Sequence, residues 1–188
     1  GLTALGTVTE GNLSHADIVY PTGHVIQTLS YNFSPSYQGT LSDWTVVTAS
    51  GETFQLAITP SNSSNKILVT AVIQAGSDNW FGININRQVS GASDVVINVG
   101  SDTLGNKLAS TFGSHNQASA DNEETDTKAV IYLDNPATTL EVNYAVFAIG
   151  RYGSGSNHVS INRPYSWNDD AISGRVTASN IILQEIQQ

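Results

Sequence analysis

Tyr165, Trp167, Asn168, Asp169 and Asp170 crowd together just after Arg163-Pro164. An aromatic ring can lie against the apolar face of a sugar, and amide and carboxylate groups beside it can choose among hydroxyls. Asp78-Asn79-Trp80 repeats that combination elsewhere in the chain. Trp80 therefore joins Tyr165, Trp167, Asn168, Asp169 and Asp170 as the candidate ligand-binding set. The same tryptophans would serve equally as apolar plugs at the ends of a β-sandwich, and the sequence leaves both roles open.

Other chemistries find less support. The four histidines, His15, His24, His115 and His158, form no pair at a short metal-ligand spacing. Asn168-Asp169-Asp170 offers oxygen ligands of the kind calcium takes, but without the spacing of an EF-hand loop, and it reads as a solvated turn. Asp121, Glu123 and Glu124 sit in one polar stretch, where nothing fixes the separation that glycoside hydrolysis needs. Gly153-Ser154-Gly155 falls short of a Gly-x-Ser-x-Gly elbow, and no apolar strand leads into it. The run Gly150 to Ser156 lacks the lysine of a phosphate-binding loop. No catalytic residue, metal or cofactor is expected, and the chain reads as a protein other than an enzyme. Asn12, Asn32 and Asn62 start Asn-x-Ser triplets, which chance explains in a chain this rich in Asn and Ser.

Composition narrows the field further. Of 188 residues only 12% are charged, against roughly a quarter in ordinary globular proteins. Polarity comes from Ser, Thr, Asn and Gln, with 16 glycines. That balance suits extracellular and viral surface β-proteins better than cytosolic enzymes. The net charge of −9, with no basic cluster, repels phosphate backbones and argues against nucleic acid as a partner. Cysteine is absent, so there is no disulfide framework and no thiolate site. No window supplies the roughly 20 apolar residues of a membrane-spanning helix, so no membrane insertion is expected. No charged start leads into an apolar run, and no signal peptide is visible. The lack of methionine, with Gly1 first, points to a processed chain or a piece of a longer one.

The elements that must position any site are strands. Phe54, Leu56 and Ile58 alternate with Thr53, Gln55 and Thr59, the period of a half-buried strand. Pro60 cannot donate to a ladder and ends that run. Ser61 to Asn65 make a polar turn, and Ile67, Val69, Ala71 and Ile73 share one face of the next strand. Phe81, Ile83 and Ile85 alternate in the same way. Strands are expected at Val25–Phe33, Trp44–Thr48, Thr53–Thr59, Lys66–Gln74, Phe81–Ile85, Asp94–Val99, Lys128–Leu133, Leu140–Ile149, Val159–Arg163 and Arg175–Ile186. Val89 to Ser93 reads as a hairpin turn, Ser101 to Ser110 as the one helical piece, and Gly113 to Asp126 as an exposed loop. About ten short strands with Gly, Pro, Asn and Ser turns imply an all-β fold, an antiparallel β-sandwich of jelly-roll type. Residues 1–23 read as an extended N-terminal arm or linker, and residues 24–188 as the sandwich domain. Ile67-Leu68-Val69, Val130 to Leu133 and Ile181-Ile182-Leu183 are apolar on both faces. A neighbouring subunit or an overlying loop must cover the second face.

Several segments carry a family resemblance. Ile58-Thr59-Pro60-Ser61-Asn62-Ser63-Ser64-Asn65-Lys66-Ile67-Leu68-Val69 resembles a signature of the distal domains of phage tail fibres and related virion appendages, the marine-phage type especially. Tyr132 to Thr139, Ile161-Asn162-Arg163 and Ala178 to Ile186 resemble further segments of that family, in the same order. Gly11 to Ser14 and Tyr20 to Gln27 are similar to its usual entry. The resemblance implies a virion structural protein, made in the host cytoplasm and carried on the virion surface. It also implies a homotrimer that attaches to a host-surface receptor, for which the aromatic loops suggest a glycan, with other virion proteins as further partners. The alternative it leaves is a head fibre or capsid decoration protein with a purely structural role.

Overall fold

The computed structural model describes residues 20–77, 80–100, 108–115, 125–152, 155–164 and 176–188. They form fifteen strands and, among the described residues, no helix. In chain order these are β1 (Val25–Phe33), β2 (Tyr37–Leu41), β3 (Thr45–Val46), β4 (Thr48–Ala49), β5 (Glu52–Thr53), β6 (Gln55–Ile58), β7 (Lys66–Ser77) and β8 (Trp80–Val89). The rest are β9 (Val95–Val96), β10 (Phe112–His115), β11 (Asp126–Asp134), β12 (Val142–Ile149), β13 (Arg151–Tyr152), β14 (Gly155–Ile161) and β15 (Ser179–Ile186).

All pairings are antiparallel, and many short strands lie end to end as one row. In the first sheet β1 and β2 form an edge row. Next comes the row of β15 and β14, then β7, then β11 at the other edge. The second sheet runs from β3 and β6, through β12 and β8, to β9 and β10. Numbered in chain order, the rows lie 1-8-3-6 in one sheet and 2-7-4-5 in the other. That is the winding of a jelly roll, as the sequence pattern predicts.

Alternation decides which face each strand buries. Ile67, Val69, Ala71, Ile73 and Ala75 of β7 are all fully buried, as are Ile181 and Leu183 of β15. They face Ile83 and Ile85 of β8 and Tyr144 and Val146 of β12 across one core. Each such aliphatic side chain contributes about 1.5–3 kcal/mol by leaving water. Phe33 and Phe54 stack at 4.8 Å with an interplanar angle of 5°, joining the two sheets at the β1 edge.

Several strands differ in extent from the expectation. Trp44–Thr48 is broken at Val47, whose N–H leaves its own row to bond Val146 O. The small β4–β5 hairpin folds out there and returns at Phe54. Asp94–Val99 shrinks to two residues. Phe112–His115 is a strand rather than the start of a loop, because Phe112 packs on the core and Thr111 N–H bonds Asn84 Oδ1 at 3.0 Å. β2 was hidden by Gly39, over which the Tyr37 ring folds; a Cβ there would lie 2.5 Å from the Tyr37 hydroxyl. Of the expected helical piece, residues 101–107 lie outside the described ones, and 108–110 are not helical. Residues 1–19 of the arm also lie outside them. Residues 20–23 are already tied to the sheet, with Gly23 N–H bonding Gln187 O at 2.8 Å.

Candidate functional site

The loop expected to carry the ligand leaves a sheet row and rejoins it. β14 pairs with Ala75 to Ser77 of β7, and β15 with Lys66 to Val72, along the same edge. β14 and β15 are therefore successive pieces of a single row, not neighbouring strands, and the segment between them joins two points of that row. Asn162 stands at its root, fully buried, with φ at 63°. Asparagine enters that left-handed region more readily than other residues with a Cβ. Its N–H donates to Gln74 O (2.9 Å), and its carbonyl accepts from Thr177 N–H (3.0 Å). Its Nδ2 donates to Phe33 O (2.7 Å) and Pro35 O (3.0 Å). Its Oδ1 accepts from Ser179 Oγ (2.6 Å), which itself accepts from Gln74 N–H (2.9 Å). One side chain thus pins both ends of the segment and fills the kink between β1 and β2. Ser160, which points away from the core, is fully buried and donates to Arg163 O at 2.8 Å. The segment therefore starts on the outer face of the first sheet.

Tyr165, Trp167, Asn168, Asp169 and Asp170 lie outside the described residues. Trp80 is described. It opens β8, in register with His115 of β10, and is 46% exposed. It faces outward from the second sheet, since Phe81 beside it points into the core at 5% exposure. Asp78 and Asn79 lie outside the described residues.

Trp44 had no role in the sequence reading beyond starting a strand. Its ring lies over Gly82 of β8. A Cβ at Gly82 would fall 2.9 Å from Trp44 Cη2 and 3.1 Å from Ile149 Cγ2, so only glycine admits the ring.

Two buried carboxylates complete the polar framework. Glu185 is 1% exposed and, among the described residues, forms no ion pair. Its Oε1 accepts from Ser61 N–H (2.7 Å), Ser61 Oγ (2.9 Å) and Asn65 Nδ2 (2.6 Å), and its Oε2 from Gln27 Nε2 (2.6 Å). Burial pushes its pKa up, but the bonds from Asn65, Gln27 and Ser61 outweigh that and hold it below the ordinary value. Asp134, 4% exposed, takes Arg87 Nη1 at 2.8 and 3.0 Å and the Tyr144 hydroxyl at 2.7 Å. Burial, followed by the Asp134 charge and hydrogen bond, raises the Tyr144 pKa well above its ordinary value.

Among the described residues, no three His, Asp or Glu side chains gather as a metal site. His24 stacks on Tyr20 at 4.8 Å. No helix among these residues is long and apolar enough to cross a membrane.

No protein-family model matches this chain, and no curated protein does. Twelve chains of solved structures are similar. One belongs to the structure of infectious bursal disease virus, Gx strain, at 8% identity and a TM-score of 0.39. The similarity covers 99% of this chain and 47% of that one, so this chain spans about half its length.

Proposed function

We propose that this chain is a virion structural protein, the distal domain of a phage tail-fibre-like appendage that attaches to a host-surface glycan as a homotrimer. The observation that carries the reading is where the resembling segments fall. Ile58 to Val69 supplies Ser61 and Asn65, and Ala178 to Ile186 supplies Glu185; the two meet in one hydrogen-bond cluster. Tyr132 to Thr139 supplies Asp134, and Ile161 to Arg163 supplies Asn162. The segments resemble the family at the positions that tie this jelly roll together, which supports a shared fold rather than chance similarity.

The outer face of the first sheet supports self-association. Ile131 is 72% exposed and Leu133 46%, side by side on β11. Leu68 of β7 is half-buried directly opposite Leu133. A sister copy would remove these from water. In such a trimer three weak glycan sites act together, and several appendages multiply that avidity. Tyr165, Trp167, Asn168, Asp169, Asp170 and Trp80 are the contact residues of this reading, and no catalytic step is part of it.

Light scattering tests the assembly. A molar mass three times the 19.9 kDa chain is expected, and a monomer removes both the trimer and the avidity. Purified protein should compete with virions for host cells. Failure to compete, with antibody labelling on the capsid, would replace attachment by a decorating role.

A further inference from the structure

The outer face of the second sheet differs from the rest of this acidic surface. In β6, β8 and β12 the residues that point away from the core carry no charge at all. Five of them are amides: Gln55, Asn86, Gln88 and Asn143, which are at least partly open, and Asn84, which is 3% exposed and accepts from Thr111 N–H and so is not available to a ligand. Register places Asn143 between Ala57 and Gln88, and Ala145 between Gln55 and Asn86. Phe147, half-buried, is next along the same face, and the Trp44 ring follows over Gly82.

Gln55, Asn143 and Gln88 are held in set orientations. Asn143 Nδ2 donates to Gln55 Oε1 and to Gln88 Oε1, each at 2.9 Å, and Gln88 Nε2 donates to Asp94 Oδ2 at 2.8 Å. This chain fixes three amides and leaves Gln55 Nε2 and Asn143 Oδ1 unused within it. Asn86 stands out. Its Oδ1 is buried and has no hydrogen-bond partner. An unpaired buried acceptor works against folding, and such groups recur where a partner from outside completes the bonding.

From this we infer that the outer face of β6, β12 and β8 binds an uncharged glycan, with the amides reading hydroxyl or N-acetyl groups and Phe147 and Trp44 providing the apolar platform. A hydroxyl both donates and accepts, which suits side chains that offer both functions. An anionic ligand would meet no counter-charge here, and the Asp94 carboxylate beside Gln88 would repel it. Preorganised amides lose little side-chain freedom on binding, which favours affinity. The inference rests on the glycan-attachment reading, and it adds a sheet face to the loop contacts named there.

The test uses the full chain and a panel of neutral tetrasaccharides built from hexoses and N-acetylhexosamines, read by saturation-transfer NMR, with oligogalacturonate as the charged control. Binding to at least one neutral member and none to the control is expected. Asn86→Ala should weaken that binding about tenfold or more while leaving the melting temperature unchanged or higher, because its Oδ1 has no bond to lose in the free protein. Gln55→Ala, at an exposed position, should weaken binding without unfolding the chain. Silence across the panel overturns the inference. So does an Asn86→Ala chain that melts several degrees lower yet binds normally, which would make Asn86 a structural residue. If wild type and Asn86→Ala compete equally with virions for host cells, this face is not the contact while attachment stands. If sugar binds and neither protein competes, the face is upheld and the attachment reading falls.

Discussion

Glu185→Gln removes one charge from a carboxylate that four hydrogen bonds and, among the described residues, no ion pair support. Gln can keep an oxygen toward Ser61 and Asn65, whose three donors lie 2.6–2.9 Å from Oε1. Its NH2 then faces Gln27 Nε2, which sits 2.6 Å from Oε2. Gln27 cannot simply turn over, because the same nitrogen donates to Thr59 O at 2.9 Å. Three charge-assisted bonds become neutral ones at a loss of about 1 kcal/mol each, and a donor facing a donor costs about 2 kcal/mol more. Relief from burying a charge returns about 2 kcal/mol, for a net loss of about 3 kcal/mol. In a chain of this size that lowers the melting temperature by about 9 °C. The folded pKa is depressed, so the charge adds stability above the unfolded value of roughly 4.3, and this is lost as pH falls through the folded value. Urea unfolding of both proteins should show the full gap at neutral pH, little change down to about pH 5, and a closing gap below. A neutral-pH gap under about 0.5 kcal/mol, or one that persists in acid, would refute the claim that the charged form is what the cluster stabilises.

Asn162→Ala should cost about 3–4 kcal/mol by urea unfolding, since it strands Phe33 O, Pro35 O and Ser179 Oγ and puts alanine at a positive φ. Arg87→Met leaves the Asp134 carboxylate buried with only the Tyr144 hydroxyl, and calorimetry should show a loss of about 3–5 kcal/mol. Gly82→Ala pushes a methyl against the Trp44 ring; about 1–3 kcal/mol of destabilisation should accompany a red-shifted tryptophan emission.

The winding of the fold was legible because its long strands declare themselves. Burial alternates along β15 and along β7 from Lys66 to Ala75, each paired on both sides, while β8 is buried at every position from Phe81 to Ile85. Short strands were not legible. β2 contains Gly39 and β10 contains Gly113, and both are held by long-range pairing to β14 and β8 that no local window contains. The polar nodes were hidden for a related reason. Glu185 and Ser61 are 124 positions apart, and Asn162 and Phe33 129, so their partnership exists only after the rows assemble. The amide face is different. Asn84, Asn86 and Gln88 alternate in plain view, but as the solvent side of an ordinary strand until Gln55 and Asn143 join them. Trp80 was singled out in the sequence as a candidate contact, and the structure adds that it is exposed at the first position of β8.

Asn162 and Ser179 belong to one row and bond each other, so the two ends of the stretch between them are held by described residues. Replacing or lengthening it changes folding stability mainly through loop-closure entropy, roughly 0.6 kcal/mol for each doubling in length. A lineage could therefore diversify that stretch quickly while the scaffold beneath it stays the same, and an engineer could graft a foreign peptide there for display.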